Sequence, residues 1–396
     1  LRRQNPSQAG QPSRRCSWLA SHNAYNSSAY PGPSSTGDPN HSLSMPDQLL
    51  LGFTSLELDI HWFLHAASGG MAPVLCHALG ASTNHAGCSS SDRHFREGLL
   101  EIAAFLRAPE NADAVLMIDI EDQLQQFVPP NGSADSPAGH AAAVAAIEQT
   151  LGDLVYKPVA GGGCQPMPLS LTKQAMRAAG AKLILTSGCN ANGGWNDWIF
   201  DIGSIRHQKA NDGYAAAPEC GAPFFMPSDY SSRWTRVWHD STQLGAQTNA
   251  NLQPIDAPTL ESMVACGLHM PSLDLIVAND ARAEASIWSW ALAQPTPSSA
   301  PVCAQLRPDG HFHGLACGQM LPVACRVGQG WRFSSAAGLP QDGPSLCAAT
   351  APGAVFGVPA NAADAASLRT ALGTNPAVWL NYFDSTGQGD WRRIIP

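Results

Sequence analysis

The stretch FTSLELDIHW, residues 53–62, sets the reading of the whole chain. Residues two apart on a strand share a face, so Leu56, Leu58 and Ile60 fall on one side and Glu57, Asp59 and His61 on the other. The apolar side demands a packing partner, and the polar side then faces solvent or a cavity. Similar short runs recur at CSWLAS (16–21), PVLCHA (73–78), AVLMIDIE (114–121), AKLILTS (181–187), PFFMPS (223–228), SLDLIV (272–277) and ASIWSW (285–290), which makes eight expected strands. Helix-like stretches lie between them at 96–108, 138–152, 170–180 and 258–268, the last opened by Asp256 or Pro258. Strands alternating with helices predict an α/β fold with a parallel sheet, and eight strands predict a TIM-type β/α barrel. An open doubly wound sheet is the alternative, but no GxGxxG turn follows the first strand, so a dinucleotide site is not supported.

The chain has 396 residues, which suits a barrel over residues 1–293 followed by a smaller unit over 294–396. The expected boundary is the Pro/Ser-rich QPTPSSAP (294–301). Beyond it the chain is rich in Gly, Pro and Cys, with a strand at VWLNYF (378–383) and a helix at 360–372, as in a small disulfide-rich α+β domain. The balance of 22 basic against 31 acidic residues, net −9, with scattered cations, argues against nucleic acid as a partner. No run of about 18 apolar residues is present, so no membrane-spanning helix is expected. Eleven cysteines without a CxxC pair fit oxidative pairing outside the cytosol. The sequence starts at Leu1 without a leader, as expected of a secreted protein after signal removal. An odd count leaves at least one thiol unpaired, and Cys76, inside an apolar run, is the expected one.

In a β/α barrel the chemistry gathers where the strands end. The first strand ends in Ser21-His22-Asn23, the second carries Glu57, Asp59 and His61, the third ends at His77, and the fourth ends at Asp119 and Glu121. Two like charges 4 Å apart at an effective dielectric near 20 repel by about 4 kcal/mol, so such a cluster calls for a cation. Oxygen ligands without thiolate select calcium or magnesium; calcium is expected, held by Asn23, Glu57, Asp59 and Glu121, with Asp119 as the alternative to Glu121. Cleavage of a phosphodiester needs a base for the attacking hydroxyl and an acid for the leaving oxygen, roles that fit His22 and His77.

The motifs SHNAYN (21–26), LELDIHW (56–62), LCHA (75–78) and MIDIED (117–122) resemble, in order, those of the phosphatidylinositol-specific phospholipase C barrel. The resemblance implies that His22 and His77 are the catalytic histidines. It also implies that Asn23, Glu57, Asp59 and Glu121 are the calcium ligands of the calcium-dependent type. Metal-free relatives carry an arginine where this chain has Asp59, which favours a calcium-using member. The implied reaction is attack of the inositol 2-hydroxyl on phosphorus, releasing diacylglycerol and an inositol cyclic phosphate, with His22 as base and His77 as acid. The phosphate-binding lysines of the eukaryotic enzymes are replaced by Thr186-Ser187-Gly188, and Lys182 stands at the other end of that strand. Phosphatidylinositol with an unphosphorylated headgroup, or a glycosylated inositol lipid, is therefore the expected partner, met peripherally at a membrane surface by a monomer. The segments CAQLRPDGHFHGLACGQMLPVACR (303–326) and VPANAADAASLRTALGTNPAVWLNYFD (358–384) resemble the two halves of a C-type lectin-like domain in reversed order, which implies a Cys303–Cys317 bridge.

The ordinary readings stand beside these. His61 and His65 read as structural histidines. Trp288 and Trp290 either stack an inositol ring or fill the interior, and Arg236 is a candidate phosphate contact. Trp195 and Trp198 either dip into lipid or pack beneath a Cys189 disulfide. A metal-dependent glycerophosphodiester phosphodiesterase or sphingomyelinase D-like enzyme is the rival activity. A non-catalytic lipid- or sugar-binding protein is the rival class.

Overall fold

The computed structural model describes residues 18–32, 37–209, 216–217, 220, 234–291, 294–296, 298–387 and 391–394. The main sheet begins with β1 (Ala20–Ser21), β2 (Ser55–His65), β3 (Gly70–Leu75) and β4 (Leu116–Gln123). A small hairpin of β5 (Gln126–Val128) and β6 (Gly132–Ala134) follows. The sheet resumes with β7 (Leu183–Ser187), β8 (Phe200–Asp201), β9 (Ile205–Lys209), β10 (Trp234–Trp238) and β11 (Met270–Leu273). Its spatial order is β8-β7-β4-β2-β1-β11-β10-β9, with every neighbouring pair parallel. The fold is thus mixed α/β around a curled parallel sheet. Among the described residues β8 and β9 do not pair with each other.

The eight parallel strands are not the eight expected. PVLCHA supplies β3, which runs antiparallel to β2 as its hairpin partner. Residues 66–69 are too few for the dozen or more that a parallel crossover needs. ASIWSW is not a strand: helix Ala281–Ala285 takes its first residue, and the apolar spacing reflects burial of Trp288 and Trp290 rather than a ladder. PFFMPS lies outside the described residues. In their place stand β8, β9 and β10, the last carrying Arg236, for which the sequence offered no strand.

The expected helices form as Phe95–Arg107, Pro137–Leu151, Lys173–Ala178 and Ala257–Ala265. Each starts at a side-chain cap: His94, Ser136, Thr172 and Asp256, respectively, accept a hydrogen bond from a first-turn N–H. Leu56, Leu58 and Ile60 are fully buried among Leu99, Ile102 and Leu106 of the first of these helices. Burial at this depth contributes about 1.5–3 kcal/mol per side chain, enough to fix which face of β2 turns outward. Inside the curl, a lower layer of Trp18, Ala20, Met117, Ile184, Trp234 and Met270 is wholly apolar. The polar residues of the same faces are therefore confined to the C-terminal ends of the strands.

The C-terminal residues build β12 (Val302–Leu306), β13 (Phe312–Ala316), β14 (Ala324–Val327), β15 (Gly330–Phe333), β16 (Val355–Phe356), β17 (Val378–Asp384) and β18 (Trp391–Arg392), with helices Gly343–Thr350 and Ala362–Leu372. They pair as a four-stranded sheet β13-β12-β17-β18 and a three-stranded sheet β15-β14-β16. This unit shares a core with the curled-sheet part of the chain, where Trp290 packs 4.4 Å from Trp391 and 5.8 Å from Phe312 between ring centroids.

Ten cysteines pair as Cys76–Cys88, Cys164–Cys189, Cys220–Cys266, Cys303–Cys317 and Cys325–Cys347. The Cys303–Cys317 bridge is the expected one. Cys76 is not the unpaired thiol: the chain folds back from His77 to lay Cys88 against it, and Cys16 lies outside the described residues. No helix among the described residues is long and apolar enough to cross a membrane.

Candidate active site

The ladder between β2 and β4 sets Glu57 opposite Asp119 and Asp59 opposite Glu121. Four carboxylates from two adjacent strands thus share one face. Ligand oxygens of Glu57, Asp59 and Glu121 lie within 4.8 Å of one another. Asn23 joins them from the turn after β1. Its φ of 46° is a left-handed conformation that asparagine tolerates better than most residues. Its N–H donates to Glu57 Oε2 at 3.2 Å, and its side-chain amide lies 3.2 Å from both carboxylate oxygens of Asp59. The structure therefore brings together all four residues expected to hold a cation.

Arg236 reaches the same cluster from β10. Its Nη1 donates to Glu57 Oε1 at 2.5 Å and to Asp119 Oδ2 at 3.1 Å, while Nη2 donates to Glu57 Oε2 and, at 3.2 Å, to Ser272. Arg236 is buried and wholly committed to these partners, so its guanidinium organises carboxylates rather than standing open to a phosphate. Burial opposes the charge on Glu57, yet Arg236 and then His22 outweigh it and hold that carboxyl at about 2. Asp59 has no such relief. Burial, Glu121 and Glu57 push it well above the usual carboxylate range, despite the hydrogen bond that Tyr25 donates at 2.8 Å. Asp119 is pushed up to about 7, by burial first, with Arg236 pulling the other way.

His22 stands on the flank, its Nε2 3.5 Å from Glu57 Oε2. Its Nδ1 lies 3.0 and 3.1 Å from the two oxygens of Asp274, just past the end of β11. Burial alone would lower the imidazole, but Asp274 and then Glu57 raise it to about 9. Asp274 is itself held by Asn40 Nδ2 at 3.0 Å and by the Ser241 N–H at 3.0 Å. The carboxylate thus keeps the proton on Nδ1 and leaves Nε2 directed at the carboxylate cluster. Sequence reasoning missed Asp274, although SLDLIV offered the signal: a lone carboxylate at a strand end, like those singled out on the second and fourth strands. Below, His41 Nε2 meets the His22 carbonyl at 2.6 Å, and burial lowers His41 to about 4, so it is a neutral support.

His77 stands two residues past the end of β3, half-buried, between the Cys76 and Cys88 ends of the disulfide. The antiparallel register, Leu75 opposite Ile60, carries the chain back along β2 from its end. His61 is buried on β2 and shares a 2.8 Å Nδ1–Nδ1 contact with His85; burial, then His85, then His77 lower it to about 3. His65 bonds Ser68 in the hairpin turn. Among the described residues neither is hydrogen-bonded to a carboxylate of the cluster.

Trp288 and Trp290 do not join the cluster. Both are 3 % exposed and pack against Phe312 of the C-terminal unit. Trp195 is fully buried, donates to the Gly188 carbonyl at 3.0 Å, and with Trp198 belongs to the core near the Cys164–Cys189 bridge. Thr186 and Ser187 are spent on Asp119 and the Ile120 carbonyl, and Lys182 bonds the Leu106 carbonyl at the opposite end of β7.

A curled parallel sheet, an aspartate-held histidine and a four-carboxylate face at the strand ends are the features of a domain of the phosphatidylinositol phospholipase C kind. The sequence matches the profile of the "Rv2075c PI-PLC-like domain" over residues 2–280, and the chain belongs to that family. It is 32 % identical over 388 residues to the uncharacterized protein Rv2075c of Mycobacterium tuberculosis, covering 94 % of this chain and 76 % of that protein. Two solved structures resemble it more distantly. The phosphatidylinositol-specific phospholipase C of Listeria monocytogenes is 12 % identical with a TM-score of 0.40, over 71 % of this chain and 97 % of that one. The calcium-dependent enzyme of Streptomyces antibioticus is 16 % identical with a TM-score of 0.35, over 67 % and 95 %. At these scores the family rests on the sequence match. The matched profile stops short of the segments that resemble a C-type lectin.

Proposed function

We propose that the protein is a secreted, calcium-dependent phospholipase C acting on phosphatidylinositol. The observation that carries this is the convergence of Asn23, Glu57, Asp59 and Glu121 beside the Asp274-held His22. The donor set suits a hard cation. Glu57 already has Arg236, but Asp59 and Glu121 face each other with no cationic side chain bonded to either among the described residues, and the raised Asp59 reports that imbalance. Calcium bound by these residues would acidify the attacking hydroxyl and offset charge on the phosphate oxygens.

The chain's own groups supply the rest. Asp274 and Glu57 raise His22 to about 9, and calcium held beside Glu57 would offset part of that field and favour the neutral imidazole. His22 Nε2 then takes the proton of the inositol 2-hydroxyl as that oxygen bonds to phosphorus, and Asp274 stabilises the imidazolium formed. The bond from phosphorus to the glycerol oxygen breaks, and His77 protonates that oxygen, giving diacylglycerol and inositol cyclic phosphate. Arg236 fixes Glu57 so that the cluster is preorganised. The commitment of Thr186 and Ser187, and the remoteness of Lys182, support an unphosphorylated headgroup. Five disulfides support an oxidising compartment.

The test is 31P NMR of phosphatidylinositol vesicles with the protein, with and without a calcium chelator. Cyclic inositol phosphate appearing only with calcium supports the reading, with His77→Ala abolishing turnover while calcium binding stays. Turnover indifferent to chelation sinks the metal assignment. Release of glycerol phosphate or choline points to the rival enzymes, and binding without turnover points to a non-catalytic protein.

A further inference from the structure

His61, Cys76 and Cys88 form a cluster separate from the carboxylates. A ring nitrogen of His61 and the two sulfurs lie within 4.8 Å of one another. Cys76 and His61 are fully buried, whereas Cys88 is partly exposed. The two sulfurs are joined as a disulfide, so the cluster holds no thiolate while that bond is intact.

The hydrogen bonds around His61 fix its tautomer. His85 Nε2 lies 3.1 Å from the Gln125 carbonyl, an acceptor only, so His85 carries its proton on Nε2. His85 Nδ1 is then an acceptor, and the 2.8 Å contact requires His61 Nδ1 to donate to it. The His61 proton is accounted for, and Nε2 is left with an open lone pair. That Nε2 is buried and has no hydrogen-bond partner among the described residues. A histidine whose second N–H is anchored to an acceptor, with its other nitrogen bare, is the arrangement found in metal-binding histidines.

We propose that His61, Cys76 and Cys88 form a soft-metal site, for zinc or a similar ion, masked by the disulfide and opened by a dithiol reductant. The exchange balances: the dithiol gives two electrons to the Cys76–Cys88 bond, becomes a cyclic disulfide itself, and leaves two thiols. Zinc then displaces the two thiol protons to solvent and takes the His61 Nε2 lone pair. Zinc–sulfur bonds of about 2.3 Å in a tetrahedron set two sulfurs about 3.8 Å apart, a separation within the span of the present cluster. Three protein ligands leave one position for water.

The experiment reduces the full chain with dithiothreitol, desalts it without oxygen, and measures zinc bound at equilibrium and the absorption of the cobalt(II) adduct. The Cys76→Ser/Cys88→Ser double variant subtracts zinc held by thiols of the other four bridges. The expected result is one more equivalent in the wild type than in the double variant, a tetrahedral thiolate–cobalt spectrum, and at least tenfold weaker binding in His61→Phe and in His61→Gln. The oxidised chain takes up none at this site. Equal uptake by the wild type and the double variant overturns the proposal. So does zinc affinity indifferent to both His61 substitutions, which is also what a chain unfolded by reduction would show.

Discussion

Arg236 on β10 closes its guanidinium fork over both oxygens of Glu57 on β2, across the interior of the curled sheet, with both side chains buried. Breaking a buried pair by removing one partner strands the other charge, at a cost of about 3–5 kcal/mol. Arg236→Met should therefore destabilise the protein by that amount in urea unfolding, because Glu57 and Asp119 lose their common cation. Arg236→Met/Glu57→Gln should recover part of the loss. A single variant within about 1 kcal/mol of wild type would show that the pair is not the brace described.

Asp274 acts on His22 only through the imidazole, so its removal should leave metal binding alone. Asp274→Asn keeps the shape but offers an amide that can stabilise the wrong tautomer and cannot stabilise the imidazolium. The expected outcome is a fall in kcat of about 10²-fold or more with KM little changed. Calcium affinity by calorimetry should match wild type. An unchanged kcat would remove His22 as the base.

Asp59 and Glu121 supply the anionic surplus, and calcium binding to the folded state alone should raise stability by about 2.7 kcal/mol at a concentration 100 times its dissociation constant. Asp59→Asn or Glu121→Gln should each erase most of that gain in thermal melts with and without calcium. Asp119→Asn should not, because Asp119 faces Arg236 and Thr186 instead. This comparison decides between Glu121 and Asp119 as ligand. A calcium-induced shift that survives Asp59→Asn intact would place the ion elsewhere.

The cluster was legible in the sequence because it is local in register: Glu57, Asp59, Asp119 and Glu121 sit at period-two spacing on strands that happen to be neighbours. Asn23 and His22 were legible as a strand end. Arg236 was singled out, but for a phosphate rather than for Glu57, and Asp274 was passed over although it stands at a strand end. What the sequence could not announce was the pairing, with partners 179 and 252 residues away across the sheet. Likewise the apolar spacing of ASIWSW records burial without saying against what. Its tryptophans turned out to meet the C-terminal sheet, a contact that only tertiary structure creates. β3 was misplaced because a four-residue turn at 66–69 reverses the chain, and the pairing of Cys76 with Cys88 was hidden because it depends on the loop that folds back after His77.

Mild acidification sets the buried imidazoles against the buried carboxylates. Asp119, raised to about 7, and Asp59, pushed well above the usual range, take up protons in the folded chain first and add stability as pH falls, whereas His41 and His61 remove it. His41, lowered to about 4, and His61, lowered to about 3, are both buried first and foremost, and both titrate near 6.5 when unfolded. Between those values the unfolded chain takes up protons that the folded chain refuses, so the contribution of these two imidazoles drops as pH falls from 6.5. Each group forfeits about 2 kcal/mol by pH 5. His22, raised to about 9, works oppositely: its contribution is full below 6.5 and is lost as pH climbs through 9. Urea unfolding of wild type and His41→Gln from pH 4 to 8 should show a difference that changes by about 2 kcal/mol between pH 6.5 and 5, because only the wild type loses the His41 contribution. A difference that stays level over that interval would mean that His41 is reached by water.

Leu64 and Met71 stand directly across from each other near the tip of the β2–β3 hairpin, 50 % and 47 % exposed, beyond the same strand end that carries Asp59. Two large apolar side chains at the rim of a site for a lipid headgroup have a use if they enter the bilayer. Half-exposed side chains of this size gain about 1 kcal/mol each on leaving water, so Leu64→Lys/Met71→Lys should lower the rate on phosphatidylinositol vesicles by tenfold or more. Neither side chain can hydrogen-bond the carboxylates or the histidines of the site, so the rate on a water-soluble glycerophosphoinositol should be unchanged. Equal losses on both substrates would mean that the substitutions disturb the hairpin, and with it His77, rather than the membrane contact.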